Sequence, residues 1–295
     1  MVGVSWATIH PEEASSLAQK ISVLGIDIAK LVFHVVGMDD AGHVVLRKHI
    51  AHSELRHVIA TQPPALIGME ACGSAHDWAR CFRAHGHEVR LITPPFVKPY
   101  VKSPKNDARD AEALCEAVTR PTMRFVPIKR VEPQDLQALH RVRERLVKAR
   151  TALVNEIRGL LHEYGIVLPQ GITKFRALLV DKLHEEQAKL TTLSAEVFGQ
   201  LDDAFRALEK RVVDDDEQLA AMGQAHPVCP RRQTIPGTGP VSATALIAAI
   251  GDATQFKNGR QLAAWLGLVP REHSTGGKPR LLGVSTRVNI SLRKW

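Results

Sequence analysis

Hydrophobic and polar positions divide the chain into three stretches of different texture. The first opens with a long β-branched and apolar run from Ser22 to Met38, followed by Asp39-Asp40-Ala41-Gly42 and a second strand-like run from His43 to Ile50. Two such runs around a turn-forming tetrapeptide predict a hairpin with a loop slightly longer than two residues. Ser53 and Glu54 open a short helix through Ala60, which Pro63-Pro64 ends. Ala65 to Met69 reads as a short buried strand with Glu70 at its end. A helix over 75–84 and a strand over 88–92 follow, and Pro94-Pro95 with Pro99 mark an irregular loop. Asn106-Asp107 then starts an Ala-rich helix to about Val118. Strand, strand, helix, strand, helix, strand, loop, helix is the order of an α/β layer domain, here residues 20–128.

From Pro133 the period becomes helical. Leu139, Val142, Leu146, Ala149, Leu153 and Leu160 follow alternating three- and four-residue steps, interrupted by Glu156, until Gly165. Leu190, Leu193, Val197, Leu201, Phe205, Leu208 and Val212 form a second series. Such spacing fits an antiparallel helical hairpin, a coiled-coil dimer arm, or two amphipathic helices packed on the body, over residues 129–222. The cluster Asp214 to Glu217 reads as a solvated helix face or turn. Past Gly223 the texture changes again. Ile235-Pro236-Gly237-Thr238-Gly239-Pro240 is a tight turn before a small-residue helix from Val241 to Ile250, in the style of a helix-hairpin-helix element. Gly237 and Gly239 would let backbone N–H groups approach a phosphate at a helix N-terminus. A further short helix to about Leu266 completes a mainly α third domain over 223–295, whose end, from Gly267, reads as loop-dominated.

Composition narrows the class. With 44% hydrophobic and 24% charged residues the chain is an ordinary globular sequence and not a disordered one. No apolar run approaches the ~18–20 residues of a membrane span, and the first twenty residues lack the apolar core of a secretory signal. Cys72, Cys81, Cys115 and Cys229 form no C-x-x-C pair and read as reduced thiols of a cytoplasmic protein. The net charge of +8 sits in one place: residues 223–295 hold ten basic and two acidic residues, and the rest of the chain is balanced. A neutral body with a basic end points to a polyanion partner, foremost nucleic acid.

Four carboxylates stand out. Asp27 interrupts the apolar Leu24-Gly25-Ile26-Asp27-Ile28, where a charge is costly unless paired or metal-bound. Glu70 ends the third strand, and Asp107 and Asp110 share the first turn of a helix. Hard oxygen ligands suit Mg²⁺, and convergence of the four would suit two ions ~3.5–4 Å apart, a geometry of phosphoryl transfer. Taken singly, Asp107 could be a helix cap and Glu70 a capping residue. The second constellation is Pro270-Arg271-Glu272-His273-Ser274-Thr275-Gly276-Gly277-Lys278-Pro279-Arg280. Its Ser and Thr lie among Arg271, Lys278 and Arg280, a setting that could present a hydroxyl to a phosphodiester or simply hold phosphate. The nearby sequence offers no obvious buried base, although His273 is adjacent, so activation of a hydroxyl is expected from elsewhere in the fold, foremost the metal pocket of the same or another subunit. His85 and His87 read as surface residues.

Leu24-Gly25-Ile26-Asp27-Ile28-Ala29-Lys30, Met69-Glu70-Ala71-Cys72-Gly73, Asn106-Asp107-Ala108-Arg109-Asp110-Ala111, Ile235-Pro236-Gly237-Thr238-Gly239 and His273-Ser274-Thr275-Gly276-Gly277-Lys278-Pro279 together resemble a DEDD transposase of the IS110 insertion-sequence family, in its IS1111 subgroup. The resemblance spans residues 22–293. It implies a RuvC-like (RNase H-type) N-terminal domain, a coiled-coil arm and a C-terminal transposase domain. By motif, Asp27, Glu70, Asp107 and Asp110 would bind the metal. Ser274, with Thr275 as its rival, would form a transient 5′-phosphoserine link to DNA. The resemblance also implies a structured non-coding bridge RNA, a homo-oligomer (dimer or tetramer) on donor and target DNA, and work at the bacterial nucleoid. The sequence departs from relatives at Thr275 and in Ser285-Thr286-Arg287-Val288, and its end at Trp295 suggests a truncated copy. A site-specific recombinase is the leading expectation. A RuvC-like nuclease using water, or a non-catalytic nucleic-acid-binding relic, are the alternatives.

Overall fold

The structure, a computed structural model, describes residues 21–101 and 107–284, without the side chains of Asp107 and Arg232. Asn106 and the segment 285–295 with its departures lie outside the described residues. The described chain forms two compact units that divide between Arg130 and Val131.

The first unit is a six-stranded mixed sheet in the order β3-β2-β1-β4-β5-β6. Its strands are β1 (Val23–Asp27), β2 (Val32–Met38), β3 (Val44–Ala51), β4 (Leu66–Glu70), β5 (Glu88–Ile92) and β6 (Phe125–Val126). β1, β2 and β3 form an antiparallel meander, β1 pairs β4 and β4 pairs β5 in parallel, and β6 closes the edge antiparallel. The apolar run expected as one strand is therefore two. Seventeen extended residues would span roughly 56 Å, well beyond the usual strand of 3–10 residues. The chain turns instead at exposed Ala29, Lys30 and Leu31. As a result Asp27 is the half-buried last residue of β1 and not an interior charge.

Alternation assigns the two faces of the sheet. Leu24, Ile26, Phe33, Val35, Ile67, Met69, Val89 and Leu91 pack under α1 (His52–Ala60) and α2 (Ala75–Ala84), against Leu55, Ile59, Trp78 and Phe82. Phe33 meets Trp78 edge-on with centroids 5.2 Å apart. His87 belongs to this side of the fold and corrects the surface expectation. It is 4% exposed, its Nδ1 accepts from the Ala65 amide, and its Nε2 meets the Ile59 carbonyl at 3.0 Å. This polar side chain joins the end of α1 to the start of β4, so two buried backbone groups find partners.

Pro94-Pro95 opens a helical turn, α3 (Pro94–Val97), and not an irregular loop, because proline suits the first turn of a helix. The other face, with Val23, Val36, Met38 and Ile92, lies under α4 (Asp107–Val118), through Ala111, Leu114, Cys115 and Val118. Glycines in the strands allow this approach. A Cβ on Gly25 would fall 2.0 Å from the Ala111 carbonyl oxygen, and one on Gly68 would fall 2.9 Å from Val118 Cβ.

In the second unit α5 (Val131–Glu163) and α7 (Thr192–Ala225) run antiparallel, with Arg143 paired to Asp216 and Arg150 to Glu209. The intervening α6 (Ile172–Glu185) docks through Phe175 and Leu179, with Phe175 edge-on to Phe205 at 5.0 Å. Thr191 and Ser194 form a reciprocal capping box at the start of α7. The acidic cluster lies within α7, where Asp216 pairs with Arg143, so it is not wholly a solvated face. Next come α8 (Cys229–Gln233) and α9 (Pro240–Ile250); α9 packs on the two long helices through Ala243, Ile247 and Ala248 against Leu136 and Leu219. α10 (Gly259–Trp265) starts at an Asn258 cap that accepts from the Gln261 amide. Among the described residues no helix is long and apolar enough to cross a membrane.

The segment from Gly267, expected to be loop, contains an antiparallel hairpin of β7 (Pro270–Glu272) and β8 (Leu281–Val284). Gly276 and Gly277 both have positive φ, 58° and 74°, and Thr275 bridges Lys278 around them. Positive φ at both central residues is what a two-residue hairpin turn of the right twist requires, and glycine adopts it without strain.

Candidate functional site

The carboxylate constellation is built on the sheet face beneath α4. Asp27 follows Gly25 by two residues, and Glu70 follows Gly68 by two, so alternation turns both toward the α4 side. In parallel register Ile26 opposes Met69, which sets Asp27 and Glu70 side by side at the C-terminal ends of neighbouring strands. Both are half-buried. Their charges also meet at a common third group. The Cys72 thiol is pushed up above its usual range by burial first, then by Glu70 and then by Asp27.

α4 supplies the third member. Ala111 lies on Gly25, so the helix's first turn, with half-buried Asp110, sits close to the strand that ends in Asp27. Asp107 is the first residue of α4, and its side chain lies outside the described part. Among the described residues no three His, Cys, Asp or Glu side chains already form a group able to hold a metal. The donor set still fits a hard divalent cation. Two carboxylates in adjacent register positions repel one another unless a cation or proton lies between them, and both offer oxygen.

Sequence reasoning missed the histidines beside this row. His34 opposes Asp27 across β1 and β2, and its ring stacks on His49 of β3 at 4.2 Å. The signal was available only after the turn at residues 29–31 was placed, because the turn sets the register.

The second constellation sits on the β7–β8 hairpin, where Arg271, Ser274, Thr275, Lys278 and Arg280 are all exposed. Ser274 Oγ donates to Glu272 Oε1 at 2.5 Å and accepts from the Arg280 amide at 3.2 Å. His273 donates its amide to the Arg280 carbonyl, which holds the two strands together beside the hydroxyl. The carboxylate that touches this hydroxyl, Glu272, is exposed and not buried. In an extended strand, residues two apart share a face, so Glu-x-Ser was the signal. Gly237 (φ 82°) and Gly239, the N-cap of α9, are exposed ahead of that helix. They leave backbone open to an approaching group.

Comparison with known proteins gives a consistent picture. A transposase profile of the DEDD, IS110-associated type matches residues 24–166, and a profile described as the IS116/IS110/IS902 transposase family matches residues 229–295. The chain is 49% identical over 274 residues to a probable family 20 transposase of Pseudomonas aeruginosa, covering 92% of this chain and 81% of that one. It is 45% identical to the transposase of insertion sequence element IS1111A from Coxiella burnetii, over 92% and 75% of the two chains. With the transposase of element IS1328 from Yersinia enterocolitica the identity is 38%, over 93% and 81%.

Proposed function

This chain belongs to the IS116/IS110/IS902 family of transposases, and from that premise we propose that it cuts and rejoins DNA by a serine-dependent phosphoryl transfer. Its substrate is the DNA of an insertion sequence and its target. The observation that carries the metal reading is the register that sets Asp27 and Glu70 side by side, with Ala111 of α4 packed on Gly25 of the same strand as Asp27.

In this proposal Asp27, Glu70, Asp107 and Asp110 hold Mg²⁺. A divalent cation bound there supplies positive charge against the phosphodiester. Asp27 and Glu70 are fixed by the ladder of β1 and β4, so they offer oxygens without rearrangement of the backbone. The two aspartates of α4 share one helix face and complete the set. Ser274 is the nucleophile, with Thr275 the alternative hydroxyl. Arg271, Lys278 and Arg280 bind phosphates around it, and the backbone at Gly237 and Gly239 adds a second phosphate contact. A chain whose excess positive charge all lies after Gly223 should bind DNA with strong salt dependence. We extend the proposal to a structured bridge RNA that selects the DNA and to a homo-oligomer that holds donor and target together at the nucleoid; the family resemblance supports both.

The test uses Fe²⁺ in place of Mg²⁺. With ascorbate and peroxide, a bound Fe²⁺ cuts the nearby backbone. Cuts are expected near residues 27, 70 and 107–110, and the double change Asp27→Asn with Glu70→Gln should remove them. Cuts elsewhere, or cuts that survive the double change, would refute the metal assignment.

A further inference from the structure

The basic C-terminal stretch of 73 residues holds only two acidic side chains, Asp252 and Glu272. A carboxylate in a segment that binds phosphates works against that binding. Asp252 serves the fold itself, capping a 3₁₀ turn by accepting from the Thr254 amide at 2.9 Å. Glu272 sits between Arg271 and His273 at the end of β7, and its carboxylate accepts the hydroxyl proton of Ser274. On its other side the same hydroxyl oxygen receives the Arg280 amide. Those two contacts orient the group. The hydroxyl hydrogen faces a carboxylate and one lone pair is engaged by the backbone, on an exposed hairpin.

We propose that Glu272 is the general base that activates Ser274. The inference rests on the proposed role of Ser274 as nucleophile. A serine hydroxyl is a weak nucleophile at neutral pH and gains from a base within hydrogen-bond reach, which 2.5 Å satisfies. As Ser274 Oγ bonds to the phosphorus, its proton passes to Glu272 Oε1. The bond from phosphorus to the DNA 3′-oxygen breaks, and that oxygen leaves with the bonding pair and takes a proton from water. The products are a 5′-phosphoserine, a free 3′-hydroxyl and a protonated Glu272. In the reverse, rejoining direction the protonated Glu272 returns its proton to the departing serine oxygen. The three cations Arg271, Lys278 and Arg280 meet the phosphate, so the single carboxylate is confined to the hydroxyl's side.

The test measures single-turnover formation of the covalent protein–DNA adduct. It uses the full chain, Mg²⁺, a supercoiled plasmid bearing the element's two ends, and RNA transcribed from the element's flanking non-coding segments. Glu272→Gln keeps a hydrogen-bonding partner for the hydroxyl but removes the base. Its rate at saturating DNA should fall about 10²–10³-fold, while the DNA concentration for half-saturation stays level or drops. Glu272→Asp, a base on a shorter arm, should recover part of the rate, and Ser274→Ala should form no adduct. If Glu272→Gln reacts within about threefold of wild type while Ser274→Ala is inert, the base assignment is wrong and the nucleophile stands. Loss through weakened DNA binding alone, with the saturated rate intact, would also overturn the base role. If wild type forms no adduct, or Ser274→Ala still forms it, the nucleophile reading itself fails and the base role with it.

Discussion

Replacing Gly25 by alanine should lift α4 off the sheet. The added Cβ would lie 2.0 Å from the Ala111 carbonyl oxygen and 2.8 Å from Cys115 Sγ. Unstrained carbon contacts need about 3.5 Å, so the helix must retreat by more than an ångström. The nearest obstacle is backbone and has no rotamer by which to escape. Overpacking of this kind costs ~1–3 kcal/mol, and the top of that range fits an obstacle of backbone. Relief of glycine's entropy in a strand returns ~0.5–1 kcal/mol, leaving a net loss of about 2 kcal/mol. That corresponds to roughly a 30-fold rise in the opening equilibrium. Hydrogen exchange of the 107–118 peptide reads it directly: its protection should fall about 30-fold. Divalent-cation binding should weaken as well, because Asp110 rides on the displaced helix. Gly73→Ala is the control, since nothing lies within 4 Å of its added Cβ. Wild-type protection of α4 in Gly25→Ala would refute the packing on which the site depends.

Two further outcomes follow from the helical unit. His140 donates to or accepts from Thr244 Oγ1 at 3.1 Å, and its pKa is lowered to about 4 by burial, with Arg143 adding to the effect and Asp216 opposing it. The unfolded chain therefore binds a proton that the fold excludes between about pH 6.5 and 4. Stability should fall as pH drops through that window, by about 1–2 kcal/mol once partial exposure is discounted, and urea unfolding should show a smaller fall for His140→Gln. Glu209 accepts from Arg150 at 3.0 Å and from Arg176 at 2.7 Å. Glu209→Ala leaves the half-buried Arg150 without this acceptor and should cost about 2–3 kcal/mol in urea unfolding, against under 1 kcal/mol for the exposed Arg206–Asp202 pair broken by Arg206→Ala.

Much of the α/β unit was legible from pattern. Helices over 75–84 and from Asp107 to Val118 sit where they were expected, the second in the Ala-rich stretch after Asn106. The turn at 29–31 was not legible, because Ile28 and Leu31 keep the run apolar and a lone Lys30 does not mark a break. That turn decides the register, and with it the pairing of Asp27 with His34. Asp27 and Glu70 were readable as anomalous charges at strand positions, whereas their adjacency depends on a parallel pairing between residues far apart in sequence. α6 was overlooked although Ile172, Phe175, Leu179 and Leu183 recur at helical spacing and pack on the long helices. Ser274 was readable as a hydroxyl among cations. Its hairpin was hidden because Gly276-Gly277 suggests flexibility as readily as a tight turn, and with the hairpin unseen Glu272 had no reason to face Ser274.

The serine mechanism is tested most directly by identifying the amino acid joined to DNA. After reaction with Mg²⁺, plasmid and RNA, the protein is denatured, digested and analysed by mass spectrometry for a peptide carrying a nucleotide. The serine mechanism predicts a 5′-phosphate ester on Ser274, in the tryptic peptide from Glu272 to Arg280. Strand cleavage that leaves a free 5′-phosphate and no modified peptide would contradict it and favour hydrolysis by water at the carboxylates; a nucleotide found on Thr275 would move the nucleophile by one residue.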